Sequence, residues 1–171
     1  LLFNWVSEIS TKHIKKESLR EKYQLENRII FFYGGNIGIA QDVQNIIRLA
    51  DKMREVENIA FVILGHGTER NKISDLIREK GLEDIIVFAE GVPHEIFMDY
   101  ISEIDIGLIT LNKNNKGHNI PGKILNYSRM GIPILGSVNP NNDIIEIINS
   151  NNAGIVVENG NDEAFKEAAI N

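Results

Sequence analysis

Short apolar runs alternate with helical patterns along most of this chain. The first run, Ile29–Tyr33, is apolar throughout, and residues 40–57 after it carry apolar side chains at helical spacing. The same alternation continues to the end of the chain. It predicts strands at 29–33, 59–64, 85–88, 104–111, 132–135 and 154–157. It predicts helices at 40–57, 69–80, 94–102, near 141–150, at 162–170 and from Pro121 onward.

Strands rich in β-branched residues that alternate with helices predict an α/β fold with a parallel sheet covered on both faces. Right-handed crossovers then give a Rossmann-like, doubly wound sheet of about six strands. Ligands of such sheets bind beyond the carboxyl ends of the strands, so the loops after the strands are the candidate site. These loops are 34–39, 65–68, 89–94, 111–122 and 136–142.

Residues 1–28 differ from the rest. Asn4-Trp5-Val6 precedes a charged amphipathic stretch, which we interpret as a linker and an edge helix entering the main domain, residues 29–171. Its apolar side carries Ile14, Leu19, Tyr23 and Leu25. Because the chain begins at Leu1 and ends inside a helical pattern, we expect it to be a piece of a longer protein.

Composition narrows the function classes. The chain has 171 residues, 43% of them hydrophobic and 25% charged, as in one globular domain. Its net charge of −6 argues against nucleic acid as the main partner. With no cysteine, disulfides and thiol catalysis are excluded, and a reducing cytosol is compatible. No apolar run approaches the ~18 residues of a membrane span, so we expect a cytoplasmic protein, with peripheral attachment to the inner membrane face through a missing half as an alternative.

The segment around Pro121-Gly122-Lys123 is the best clue to function. Proline is suited to a first helical turn, whose free N–H groups and dipole favour an anion. Lys123 adds a mobile positive charge, and this combination suits a phosphate or diphosphate. His118 and Asn126 flank the turn, and Asn126 lies about one helical turn beyond Lys123, where it could bind a sugar hydroxyl. The alternative is an ordinary helix start with solvated polar residues.

Three other loops carry glycines that let a backbone approach a ligand closely. They are Gly34–Gly38 with Asn36, Gly65-His66-Gly67 and Gly91-Val92-Pro93-His94. Each could equally be a plain turn between a strand and a helix. No Ser–His–Asp set, metal-ligand cluster or Walker A loop is visible, so we expect no metal and no cofactor.

Taken in order, these motifs resemble a known family. The chain shows Gly-Gly-Asn, Gly-x-Gly and Val-x-Phe-x-x-Gly-Val-Pro, then Ile-Asp-Ile-Gly-Leu-Ile and Pro-Gly-Lys-Ile-Leu-Asn-Tyr-x-x-x-Gly-Ile-Pro-Ile-Leu. This order resembles the C-terminal, donor-binding domain of a retaining GT-B glycosyltransferase of the group 1 family. The His-Asn-x-Pro-Gly-Lys segment and Gly136–Pro140 are similar to those of O-antigen and capsule enzymes of the N-acetylfucosaminyl-transferase type.

The resemblance implies a nucleotide-diphosphate sugar, most commonly a UDP-sugar, bound in a cleft between two Rossmann-like domains. The acceptor, a glycan or a lipid-linked sugar, is implied to bind mainly to an N-terminal domain that this chain lacks. Lys123 and His118 are the implied catalytic residues. The implied donor-binding residues are Gly35, Asn36, His66, Val92, Pro93, Asn119, Ile120, Pro121, Gly122 and Asn126.

The chain departs from the family pattern in two places. Many relatives carry two glutamates seven residues apart, where this chain has His118 and Asn126. Many also carry arginine and lysine in and after the first glycine loop, where this chain has Asn36 and Gln41. The diphosphate charge would then be met mainly by Lys123 and the helix amides.

We therefore expect the nucleotide-sugar-binding half of a retaining glycosyltransferase of bacterial surface polysaccharide, inactive without its other half. Two alternatives stay open. One is a non-catalytic Rossmann-like module that binds a nucleotide or a protein. The other is half of a sugar-nucleotide epimerase of the same two-domain architecture.

Overall fold

Six parallel strands form one sheet in the order β3-β2-β1-β4-β5-β6. The computed structural model describes residues 17–117 and 120–171. Its strands are β1 (Ile29–Gly34), β2 (Ile59–Leu64), β3 (Ile86–Ala89), β4 (Ile106–Thr110), β5 (Ile134–Val138) and β6 (Gly154–Glu158). This strand order is that of a doubly wound nucleotide-binding sheet. The predicted α/β, Rossmann-like fold is thereby confirmed.

Within the described residues, seven helices connect and flank the strands. They are α1 (Leu19–Tyr23), α2 (Gln44–Lys52), α3 (Arg70–Lys80), α4 (His94–Ile101), α5 (Lys123–Arg129), α6 (Asp143–Ser150) and α7 (Asp162–Ile170). None of those in the described ranges is long and apolar enough to cross a membrane.

Two apolar layers cover the faces of the sheet. Side chains alternate along β1, so that Phe31 packs with residues of α2, α3 and α7, and Phe32 packs with residues of α1, α4, α5 and α6. The Phe31 ring stacks on Phe61 of β2, with centroids 4.9 Å apart. Burial on both faces explains why β1 and β2 are apolar at nearly every position rather than at alternate ones.

The helix predicted over 40–57 is interrupted in the structure. A 3₁₀ turn at Ile39–Gln41 is followed by Asp42 in the left-handed region, with a φ of 45°. Helix α2 then begins at Gln44 and ends at Lys52. Aspartate tolerates this conformation better than most residues. Of residues 54–57 only Val56 is apolar, and it is exposed.

Strand β5 begins two residues later than predicted and ends three residues later. Pro133 has no N–H to donate, and its carbonyl accepts from the Gly107 amide just before the ladder proper begins. The strand continues through Ser137 and Val138 because these residues pair with β6. The carboxyl end of β5 therefore reaches further toward the candidate site than expected.

Helix α1 packs against the end of the α4–β4 connection. Leu19 is buried, and the Arg20 guanidinium donates to the Glu103 carbonyl and to the Asp105 carboxylate, both at 2.8 Å. Trp5 and Ile14 of the predicted linker lie outside the described residues. The assignment of residues 1–28 as a linker with an edge helix stays a prediction.

Candidate functional site

A cleft of about 370 Å³ opens at the carboxyl ends of the β1–β3 side of the sheet. Four of its nine lining residues are glycine, so backbone atoms form part of its wall. The structure thus brings together candidates from three separate loops. The lining residues are Gly34, Gly35, Asn36, Leu64, Gly65, His66, Gly91, Val92 and Phe97. Pro93 follows Val92 directly but does not line the cleft.

Hydrogen bonds continue from the sheet into these loops. The Gly35 amide donates to the Leu64 carbonyl at 2.9 Å, and the Ile37 amide donates to the His66 carbonyl at 2.7 Å. Gly65 has a φ of 157°, and a Cβ placed on it would overlap the carbonyl oxygen of Gly35. Glycine is therefore required at position 65 for two strand ends to approach this closely.

The side chains of the cleft are almost all uncharged. The exposed His66 ring lies against Gly91, since a Cβ on that glycine would be 3.0 Å from two atoms of the imidazole. Leu64, Val92 and Phe97 supply the apolar wall. A cleft with flat backbone walls, one imidazole and no carboxylate or ammonium suits a neutral ring better than an anion.

Lys123 lies beside this cleft, at the start of α5. Its Nζ is 4.1 Å from the centroid of the Tyr33 ring, and a Cβ on Gly35 would be 3.4 Å from its Cε. Burial lowers the pKa of this ammonium to about 8. It forms no ion pair with any carboxylate of the described residues. The Lys123 side chain is therefore half-buried over Tyr33 rather than fully exposed.

Tyr33 fixes the loop under the lysine. Its hydroxyl donates to the Asn36 carbonyl at 2.7 Å, and burial raises the pKa of this phenol far above its usual range. The ring is thus a rigid neutral support for the ammonium, which gains a cation–π interaction. Tyr33 and Phe97 were not candidates from the sequence, because each has the pattern of a core aromatic residue.

Helix α5 begins two residues later than the predicted start at Pro121. Gly122 precedes it with a helical φ of −58°, and the Ile124 amide donates to the Pro121 carbonyl at 3.1 Å. This first-turn amide is therefore used within the turn and is not available to an anion. Ile120 is 44% exposed, whereas Pro121 and Asn126 are half-buried. His118 and Asn119 lie outside the described residues.

The stretch from β4 to the start of α6 carries a charge imbalance that is not visible in the pattern of apolar positions. Residues 106–142 contain four basic residues, Lys113, Lys116, Lys123 and Arg129, and none of the chain's 24 acidic residues. Asn112 anchors the segment, because its amide donates to the Ala40 carbonyl at 2.9 Å and its side chain accepts from the Asn114 amide. Lys113, Lys116 and Lys123 thus give the loop before α5 and the first residue of that helix a positive charge, in a protein that is acidic overall.

The neutral side chains of Asn36 and Gln41 lie in and after the first glycine loop and bind each other. The Asn36 side-chain amide donates to the Gln41 side-chain oxygen at 2.9 Å, so these two residues satisfy one another.

Within the described residues, no cluster of three or more His, Asp or Glu side chains is placed to hold a metal ion.

These features define an α/β domain of the Rossmann-like class with a cleft at the carboxyl edge of its sheet. The family model described as Glycosyl transferases group 1 matches residues 15–171. The chain therefore belongs to the glycosyl transferases group 1 family.

A curated relative is the putative colanic acid biosynthesis glycosyl transferase WcaI of Escherichia coli strain K12. It is 26% identical over 136 residues, which cover 75% of this chain and 32% of WcaI. The chain thus spans about a third of the length of this relative. The comparisons support the family and do not single out the N-acetylfucosaminyl-transferase type.

Two solved structures share the fold. TarM of S. aureus, solved as a G117R mutant in complex with fondaparinux, α-GlcNAc-glycerol and UDP, superposes with a TM-score of 0.70 at 14% identity, covering 97% of this chain and 31% of TarM. The C-terminal domain of LpcC, a group 1 family protein of Francisella tularensis, gives a TM-score of 0.67 at 16% identity, covering 91% of this chain and 82% of that domain.

Proposed function

We propose that this chain is the donor-binding half of a retaining glycosyltransferase that uses a nucleotide-diphosphate sugar to build a bacterial surface polysaccharide. The observation that carries the proposal is the juxtaposition of Lys123 with the Gly35 loop, beside an uncharged cleft. Membership of the family favours transfer over epimerisation and over a binding module. The name of WcaI supports a role in polysaccharide biosynthesis.

The geometry supports one orientation of the donor. The nucleoside occupies the cleft between the His66 loop and Val92, where backbone and apolar groups surround a neutral ring. The diphosphate then extends past Gly35 toward the ammonium of Lys123. UDP is the proposed nucleotide, and the complex of TarM with UDP supports this choice.

Lys123 replaces positive charge that the first glycine loop lacks. Many relatives carry arginine and lysine in and after the loop that follows β1, where they can neutralise the diphosphate. In this chain the corresponding Asn36 and Gln41 are neutral and hydrogen-bonded to each other. The Lys123 ammonium reaches the same loop from α5. An ammonium near a diphosphate forms charge-assisted hydrogen bonds, which are stronger than those between neutral groups.

The proposed chemistry follows from this placement. The bond between the anomeric carbon and the diphosphate oxygen breaks, and the nucleoside diphosphate leaves with the bonding electrons. Lys123 stabilises the negative charge that grows on this leaving group. In this proposal the acceptor binds to another part of the protein, and holding both substrates together can contribute ~7–11 kcal/mol to lowering the barrier. We therefore expect no useful transfer by the chain alone, and the acceptor, a glycan or lipid-linked sugar, to bind the other half.

The roles of the remaining candidates are also proposals. Asn126, half-buried on α5, would bind a ribose hydroxyl, and Ile120, Pro121 and Gly122 would border the donor sugar and phosphates. His118 and Asn119 would face the transferred sugar.

Calorimetry with UDP, uridine and inorganic pyrophosphate tests the proposed donor site. We expect UDP to bind more tightly than uridine by at least tenfold, and pyrophosphate to compete with UDP, because each part of the donor has its own subsite. Lys72→Ala, which removes an exposed lysine of α3, is the control and should bind like the wild type. Equal affinity for UDP and uridine would refute the diphosphate site.

A further inference from the structure

Arg70, the first residue of α3, joins the ends of two strands. Its Nη1 donates to the carbonyl oxygens of Gly65 and Ala89, both at 2.9 Å. Its guanidinium carbon lies 4.4 Å from the centroid of the Phe88 ring, which holds the group by a cation–π interaction. The side chain is half-buried and does not line the cleft.

The two carbonyls lie where the pairing of β2 with β3 ends. The last backbone hydrogen bond between the two strands runs from the Gly65 amide to the Ala89 carbonyl, at 3.3 Å. Beyond it the chains enter the loops that carry His66 and Gly91. The guanidinium thus adds a side-chain clamp at the point where the sheet ladder ends.

This clamp sets the spacing of two walls of the cleft. His66 follows Gly65 directly, Gly91 comes two residues after Ala89, and the His66 ring lies against Gly91. A shift of either strand end would separate the imidazole from the Gly91-Val92 backbone. The Lys123 ammonium would be unaffected, because it belongs to α5 and rests on the Tyr33 ring rather than on either of these strand ends.

We propose that Arg70 is a positioning residue for the nucleoside of the donor, acting by holding the His66 loop and the Gly91-Val92 segment at the distance that a nucleobase requires. This inference rests on the proposed function. Arg70 acts through the two loops and does not touch the donor. Lysine is a poor substitute, because a compact ammonium does not reproduce a planar group that stacks on Phe88 while it donates to two carbonyls.

Binding of uridine, UDP and pyrophosphate to Arg70→Gln, well below its melting temperature, tests the proposal. We expect uridine and UDP to bind about tenfold more weakly, by the same factor, and pyrophosphate to bind unchanged. Arg70→Lys should recover only part of the loss. The matched control is Arg78→Gln, which removes an exposed arginine of the same helix, and it should leave all three affinities unchanged.

Hydrogen exchange of the unliganded proteins gives a second readout. Arg70→Gln should accelerate exchange of amides at 65–67 and 90–92, and should leave α5 as in the wild type. A variant with a lower melting temperature but wild-type uridine affinity would overturn the positioning role, as would equal losses for uridine and pyrophosphate. If the wild-type chain itself bound none of the three probes, the proposed function would fall together with this inference.

Discussion

The two sides of the candidate site are built in different ways. On the β1–β3 side, the walls are glycine backbone and uncharged side chains, tied together by hydrogen bonds between Gly35, Leu64, Gly65 and Ala89. On the β4–β5 side, the segment 112–126 carries lysines and no carboxylate. One side therefore depends on close backbone packing, and the other depends on the charge of a few side chains.

This difference teaches which substitutions each side tolerates. A backbone-lined wall fails when an added Cβ meets backbone, as it would at Gly65, although no functional group has been removed. A charged wall can change its side chains without loss of folding, but it loses affinity for an anion. We expect shape-dependent recognition of the neutral nucleoside on the first side and charge-dependent recognition of the diphosphate on the second.

The largest expected effect is on folding, from Gly65→Ala. The new Cβ would overlap the carbonyl oxygen of Gly35, and the φ of 157° is unfavourable for alanine. Strain and overpacking each cost ~1–3 kcal/mol, so the free energy of unfolding should fall by about 3 kcal/mol or more. Urea denaturation measures this loss.

Gly122→Ala is the matched control on the other side. Gly122 has a helical φ of −58°, and a Cβ there would have no heavy atom within 4 Å. Its free energy of unfolding should stay within ~1 kcal/mol of the wild type. Comparable losses in the two variants would contradict the distinction between a packed side and an open one.

The fold could be predicted from the sequence because apolar periodicity records burial directly. Strand β2 and helix α7 have the predicted bounds, and α3 ends at Lys80 as predicted, with Gly81 in the left-handed conformation after it. Helix ends that depend on turns were less predictable. The break at Asp42 leaves almost no trace in the apolar pattern, and its turn is held by a bond from the distant Asn112.

The site could be predicted only by its loops. Glycines after strands indicated where a ligand could approach, and the structure brings three of those loops into one cleft. The contact of Lys123 with Tyr33 joins residues 90 positions apart and has no local signal. Arg70 had no signal either, because an arginine at a helix start is ordinary until its two carbonyl partners are known.

Lys123→Met should give the second-largest effect, on binding. Methionine keeps an unbranched side chain of similar length over Tyr33 but removes the charge. A charge-assisted hydrogen bond is worth ~1.5–3 kcal/mol, so UDP should bind about ten- to a hundredfold more weakly. Uridine affinity should not change, and calorimetry with both ligands gives the comparison.

Two controls accompany this variant. Lys123→Arg should recover part of the UDP affinity, because it keeps the charge but not the compact shape of an ammonium. Lys72→Met removes an exposed lysine of α3 and should have no effect. A Lys123→Met protein that binds UDP normally would leave the charged side of the site without its central residue.

The smallest expected effect is a dependence of UDP affinity on pH. Burial lowers the pKa of Lys123 to about 8, so the ammonium of the unliganded protein loses its proton between pH 7 and 9. At pH 9, one unit above this pKa, only about one tenth of the Lys123 side chains stay protonated. The ratio of UDP affinity to uridine affinity should therefore fall by up to about tenfold from pH 7 to 9. In Lys123→Arg this ratio should stay flat, because the guanidinium does not titrate in the range.

Folding stability should respond to the same group with the opposite sign. The folded pKa of about 8 lies below the ordinary lysine value of 10.5, so between these values the unfolded chain binds more protons and the contribution of Lys123 to stability rises with pH. Lys123→Met lacks this term, and its stability relative to the wild type should therefore be highest below pH 8 and decline toward pH 10.5. Urea denaturation at pH 7 and 9 measures the change. A pH-independent difference between the two proteins, together with a flat UDP ratio in the wild type, would place the lysine in water rather than over Tyr33.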